Sequence, residues 1–135
     1  MLLATRNRVL ALRQSAAKES RRIVAQVLAT WEPDVDLRAV ESCTSELVTD
    51  ALRNGDCPLH LVIQPWTDCV RVTVIKSSAK RGDEFDPAPY GESWVRQRIV
   101  DGLATRHGVE ALPAGSAAWV DVDTNPISTH LDLWR

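Results

Sequence analysis

Glycine is scarce in this 135-residue chain: there are six, at positions 55, 82, 91, 102, 108 and 115, and no two stand in G-x-G spacing. That spacing lets a backbone wrap a phosphate, so neither a dinucleotide fingerprint nor a P-loop is present. An excess of one charge is missing as well, with 16 Lys and Arg against 18 Asp and Glu and a net charge of −2. Without a basic surplus there is no general attraction to a nucleic-acid backbone. Long apolar runs are absent. The opening Met1-Leu2-Leu3-Ala4-Thr5 is followed by Arg6, Arg8 and Arg13, which reads against a signal peptide, and no span approaches membrane length. Cysteine is limited to Cys43, Cys57 and Cys69, an odd number without C-x-x-C spacing and far from the three histidines, a poor basis for a zinc site. The expectation is one domain over 1–135, cytoplasmic, with reduced thiols and no direct nucleic-acid or membrane partner.

What is present is periodicity. Val9, Leu10 and Leu12 form a short β-like run, and Ser15 stands where it can cap a following helix. Ile23, Val24, Val27, Leu28 and Trp31 recur at helical spacing, with Lys18, Glu19, Arg21 and Arg22 between them, and Pro33 ends that helix. A second helix opens at Asp34 or Asp36 and carries Leu37, Val40, Thr44, Leu47, Val48 and Ala51 as its stripe, stopping at Asn54-Gly55. Leu59, Leu61 and Ile63, then Val70, Val72 and Val74, alternate as two strands around Pro65-Trp66-Thr67-Asp68. Cys57 and Cys69 fall at opposite ends of that hairpin, about 20 Å apart at 3.3 Å per residue, too far for a disulfide.

Residues 76–91 hold two prolines, two glycines and six charges without an apolar period, the composition of a loop, either solvated or docking a partner. Ser93 opens a third helix with Val95, Ile99 and Leu103 inward, closed by Gly108, with His107 at its negative end. Val109 to Leu112 and Ala117 to Val122 then form a second hairpin. The expected fold is α+β, a two-layer sandwich of a mostly antiparallel, mixed sheet with helices on one face, its core about 8–123 and a tail over 124–135. His60 is expected to point outward from its strand, and Cys43 to be a core residue.

Glu46 and Asp50 stand four apart on one face of the second helix, a like-charge pair that costs a few tenths of a kcal/mol. The pair reads either as a solvated acidic face relieved by Arg53 or as carboxylates that take a proton and hold a hard cation such as Mg²⁺.

The surrounding segment Ser45-Glu46-Leu47-Val48-Thr49-Asp50-Ala51-Leu52-Arg53-Asn54-Gly55 resembles the N-box of the histidine-kinase-like ATPases, in particular the bacterial anti-sigma-factor serine-kinase branch, which often reads S-E-L-V-T-N-A-x-x-H-G. Arg21-Arg22, Trp31, Val70 to Val74, Val100 to Arg106, Gly108-Val109 and Trp119 follow in the family's order. The resemblance implies that Glu46 activates an attacking hydroxyl and that position 50 binds Mg²⁺ beside the phosphates of ATP; here Asp50 replaces the asparagine. It also implies an aspartate that accepts from adenine at the position of Lys76, and lid glycines near Trp94-Val95-Arg96-Gln97. Lys76 has no acceptor to offer, and neither glycine is there. Trp94 then either plugs the altered nucleotide pocket or packs at its helix's N-terminus.

The function implied is an anti-sigma-factor-like regulator that binds a sigma factor or an anti-sigma antagonist with ATP binding weakened or lost. The alternative is an active Mg²⁺·ATP-dependent protein-serine kinase acting on the antagonist. A detached sensor-kinase ATPase domain is a third reading, against which stands the lack of a phosphoacceptor helix. The resemblance also implies a homodimer through the early strand and helix.

Overall fold

The computed structural model describes residues 5–10, 15–54, 58–77, 102–113 and 115–124. Strand β1 is Arg6–Leu10, helix α1 Ala16–Trp31, helix α2 Leu37–Asn54, strand β2 Leu59–Pro65, strand β3 Cys69–Ser77, strand β4 Arg106–Leu112 and strand β5 Gly115–Asp123. The expected loop over 78–91, the opening of the third helix with Trp94, the tail beyond Thr124, Leu12 and Cys57 lie outside the described residues.

The strands form one sheet in the order β1-β2-β3-β5-β4, and all four pairings are antiparallel. The α+β reading therefore holds as a two-layer arrangement, while the expected mixed pairing is absent among the described strands. Strand alternation divides the sheet into two unlike faces. Leu59, Leu61 and Ile63 of β2, Val70, Val72 and Val74 of β3, and Ala118, Val120 and Val122 of β5 point one way and are buried in a core with Val24, Val27, Leu28, Val40, Val48 and Ala51 of the helices. Leu10 brings β1 into the same core, opposite Leu59. Each fully buried aliphatic side chain contributes about 1.5–3 kcal/mol, so this layer carries most of the fold's stability.

Helix α1 stops just ahead of Pro33 on a left-handed cap: Glu32 has φ 54° and its N–H donates to the Leu28 carbonyl at 2.7 Å. Ser15 does occupy the N-cap position, yet its hydroxyl makes no capping bond. At α2 the cap is Asp36, whose Oδ1 accepts from the Ala39 N–H at 3.3 Å.

Several expectations shift, among them Leu37 and Leu103, expected on core-facing stripes but exposed. The first strand begins earlier than the apolar run, at Arg6, because β1 registers against β2 from Arg6–Ile63 to Leu10–Leu59. Lys76 and Ser77, assigned to the loop, continue β3, opposite Ser116 and Gly115 of β5. His107, assigned to a helix end, lies in β4 opposite Val120. Helical backbone is present at Gly102 and Leu103 and gives way to strand at Arg106, whose guanidinium is held by two carboxylates of the neighbouring strand. Cross-strand pairing overrides a local sequence that is compatible with helix.

Candidate functional site

The N-box-like segment forms the second half of α2. Val40, Cys43, Leu47, Val48 and Ala51 face the sheet, and Glu46 and Asp50 follow Cys43 around the helix, half-buried on the flank of the stripe. The hydroxyls of this helix are used within it: Thr44 Oγ1 donates to the Val40 carbonyl at 2.7 Å, Ser45 Oγ to Ser42 at 3.1 Å and Thr49 Oγ1 to Ser45 at 2.7 Å. Such back-bonding satisfies each hydroxyl without a ligand and leaves the two carboxylates as the segment's chemical content. Asp50 Oδ1 is sealed from solvent. Burial, with a smaller contribution from the Glu46 carboxylate, pushes the Cys43 thiol up to about 11. Cys43 is thus a protonated core residue, as expected, and no nucleophile.

Residues 55–58 connect Asn54 to Leu59, so the C-terminal end of α2 lies at the end of the sheet where Leu59, Lys76 and Ser116 are cross-strand neighbours. Lys76 is on the helix-facing side of β3 and only 5% exposed; Ser116 beside it is fully buried. The structure therefore brings Asp50 and Lys76 to one end of the sandwich. An ammonium donates and cannot accept, so the adenine-accepting function that the resemblance implies at this position is absent from the side chain found there. Among the described residues no three His, Cys, Asp or Glu side chains come together as a metal-binding group. His60 faces away from the core and is exposed, as expected.

A second constellation, not read from the sequence, occupies the opposite face of the sheet. Asp121, 2% exposed, accepts from Arg71 Nε at 2.7 Å and Arg71 Nη2 at 2.9 Å, and from Arg106 Nε at 3.2 Å. Arg106 Nη2 continues to Asp123 Oδ1 at 2.9 Å. Burial alone raises the Asp121 pKa, but the bonds from Arg71 and Arg106 overcome it and hold the carboxyl below its ordinary value. The Arg71 guanidinium lies 4.2 Å from the centre of the Trp119 ring, a cation–π contact. The other side of this indole reaches Gly108, where an added Cβ would meet Trp119 Cζ2 at 2.9 Å. Three strands thus clamp Trp119 flat on the sheet. Alternation alone could have put Arg71 and Asp121 on outward faces; their direct contact depends on a register between residues 50 apart in the chain.

No protein-family model and no curated protein sequence matches the chain.

Proposed function

We propose that the protein is an anti-sigma-factor-like regulator with the histidine-kinase-like ATPase fold, acting by protein–protein binding with nucleotide binding weakened or lost. The observation that carries the reading is Lys76. The N-box-like helix supports a site at the end of α2, and at that end β3 presents a buried cation where the resemblance implies an acceptor for adenine. The residues present do not fit ATP there. The carboxylate of Asp50 also sets a negative charge where the family carries a neutral amide, unfavourable toward a triphosphate unless a cation intervenes.

Calorimetric titration of the full chain with Mg²⁺ and ATP tests the nucleotide half. The expected result is no binding heat up to about 1 mM ATP, an interaction weaker than about −4 kcal/mol. Micromolar binding that disappears in Asp50→Ala overturns it in favour of an active serine kinase, in which Glu46 takes the proton of a serine hydroxyl on the antagonist. Affinity capture from the native host tests the partner half, with a sigma factor or its antagonist expected and an eluate lacking both counting against the assignment.

A further inference from the structure

Among the described strands the sheet has two edges, β1 and β4, and they are unlike. On β4 the Arg106 guanidinium is held by Asp121 and Asp123, and Glu110 stands exposed on the same strand. On β1 Arg6, Asn7, Arg8 and Val9 are all exposed, and neither arginine is paired with a described carboxylate. Alternation sorts these four. Arg6 and Arg8, opposite Ile63 and Leu61, lie toward the margin of the helical layer, while Asn7 and Val9, opposite Val62 and His60, lie on the open face. The Arg6 guanidinium is 5.8 Å from the centre of the Trp31 ring, so an indole from α1 takes its face and leaves its in-plane N–H groups for an acceptor. Arg8 Nη1 donates to the Asn7 carbonyl at 2.9 Å, which engages part of the guanidinium and steadies it at the edge. The wider sequence has the same sign. As far as Trp31 it holds six Lys and Arg against Glu19 alone, whereas from Glu32 onward there are ten against seventeen Asp and Glu. A chain that is nearly neutral as a whole is thus segregated by charge, with its positive part in β1 and α1.

From this we infer that the outer edge of β1 is a docking site for an extended acidic segment of another protein, added as a strand beside β1. A strand paired on one side leaves alternate N–H and C=O groups facing outward, and an extended peptide satisfies them whatever its sequence. The side chains then supply the choice. Residues directly opposite each other share a face of the sheet, so carboxylates at alternate positions of the incoming strand meet Arg6 and Arg8, and the residues between them lie beside Asn7 and Val9, the latter 62% exposed. The Asn7 carbonyl keeps a second lone pair for an incoming N–H. A second copy of β1 fits the same edge badly. Laid antiparallel about Asn7 or Arg8, it sets arginine against arginine. The docking involves none of Glu46, Asp50 and Lys76 and is independent of the functional assignment above.

A fluorescently labelled peptide, Glu-Val-Glu-Thr-Glu-Val-Glu, titrated with the full chain from about 1 µM to about 1 mM and followed by anisotropy, tests this. Saturable binding is expected, weakened about tenfold or more by Arg8→Glu and by Arg6→Glu, and little changed by Arg38→Glu, the same charge change on exposed α2 surface. N-methylation of one alternate set of the peptide's amides should abolish binding and of the other set preserve it, a pattern that charge attraction alone does not produce. Thermal melts confirm folding, and Arg8→Gln gives a second reading should Arg8→Glu not fold. Four results would each overturn the inference: no binding at about 1 mM, equal binding of the peptide with Lys in place of Glu, equal tolerance of both methylated sets, or tighter binding of a single-stranded oligonucleotide of the same charge.

Discussion

Asp121 accepts three hydrogen bonds from two guanidiniums while nearly inaccessible to water. Hydrogen bonds to charged groups contribute about 1.5–3 kcal/mol each, less where a partner is as solvated as Arg71. Asp121→Asn turns one acceptor into a donor facing the arginines and is expected to cost about 1–3 kcal/mol at neutral pH, read as a shift in urea midpoint. The carboxyl is held below its ordinary value, so its stabilisation is fully present above about pH 4 and is lost as pH falls through the depressed value. The gap between wild type and Asp121→Asn should therefore narrow toward pH 2, a constant gap being the contrary result. Cys43 has the opposite sign. Its raised pKa makes its contribution complete below about pH 8.5 and lost as pH rises toward about 11. Iodoacetamide should accordingly modify Cys43 in the native protein at pH 8 at least about a hundredfold more slowly than in urea, measured by peptide mass.

At the level of elements, helices and hairpins were legible because their periods are local. The stripe from Val40 to Ala51 needs only 3.6 residues per turn, and the alternations in β2 and β3 need only a pleat. Element ends were less legible. Nothing within 103–107 marks the change from helix to strand; β5 decides it by holding Arg106 through Asp121 and Asp123. Gly115 shows the same dependence from the other side. An added Cβ there would collide with the backbone carbonyl oxygen of Lys76, and backbone inside a paired sheet cannot withdraw as a side-chain tip can. Gly115→Ala should destabilise by about 1–3 kcal/mol or more, measured by thermal melting, whereas Gly102→Ala, with open space around its Cβ, should not destabilise comparably.

The molecule as a whole is asymmetric across its sheet. One face is covered by α1 and α2 and carries the aliphatic core; the other carries Trp119, the arginine–aspartate network and exposed Val9. Leu61→Ala, on the covered face and fully buried, is expected to cost about 2–5 kcal/mol in chemical denaturation. Val9→Thr, on the open face, should stay within about 0.5 kcal/mol. Equal losses at the two positions would mean that the open face is packed as tightly as the core.

Of the candidate site, the pair Glu46 and Asp50 could be read from spacing, since residues four apart on a helix share a face whatever the helix packs against. The α+β class followed similarly from the order of the periods. The burial of Lys76 and the clamp on Trp119 could not be read so, because each depends on which strand lies beside which. Composition makes Lys76 a loop charge; pairing with Leu59 and Ser116 turns it inward beneath the helical layer. Local backbone geometry therefore set the elements and the carboxylate pair, while the β1-β2-β3-β5-β4 order decided which charges are buried and which face is open. Periodicity acts within a few residues, whereas hydrogen-bond register joins positions tens of residues apart.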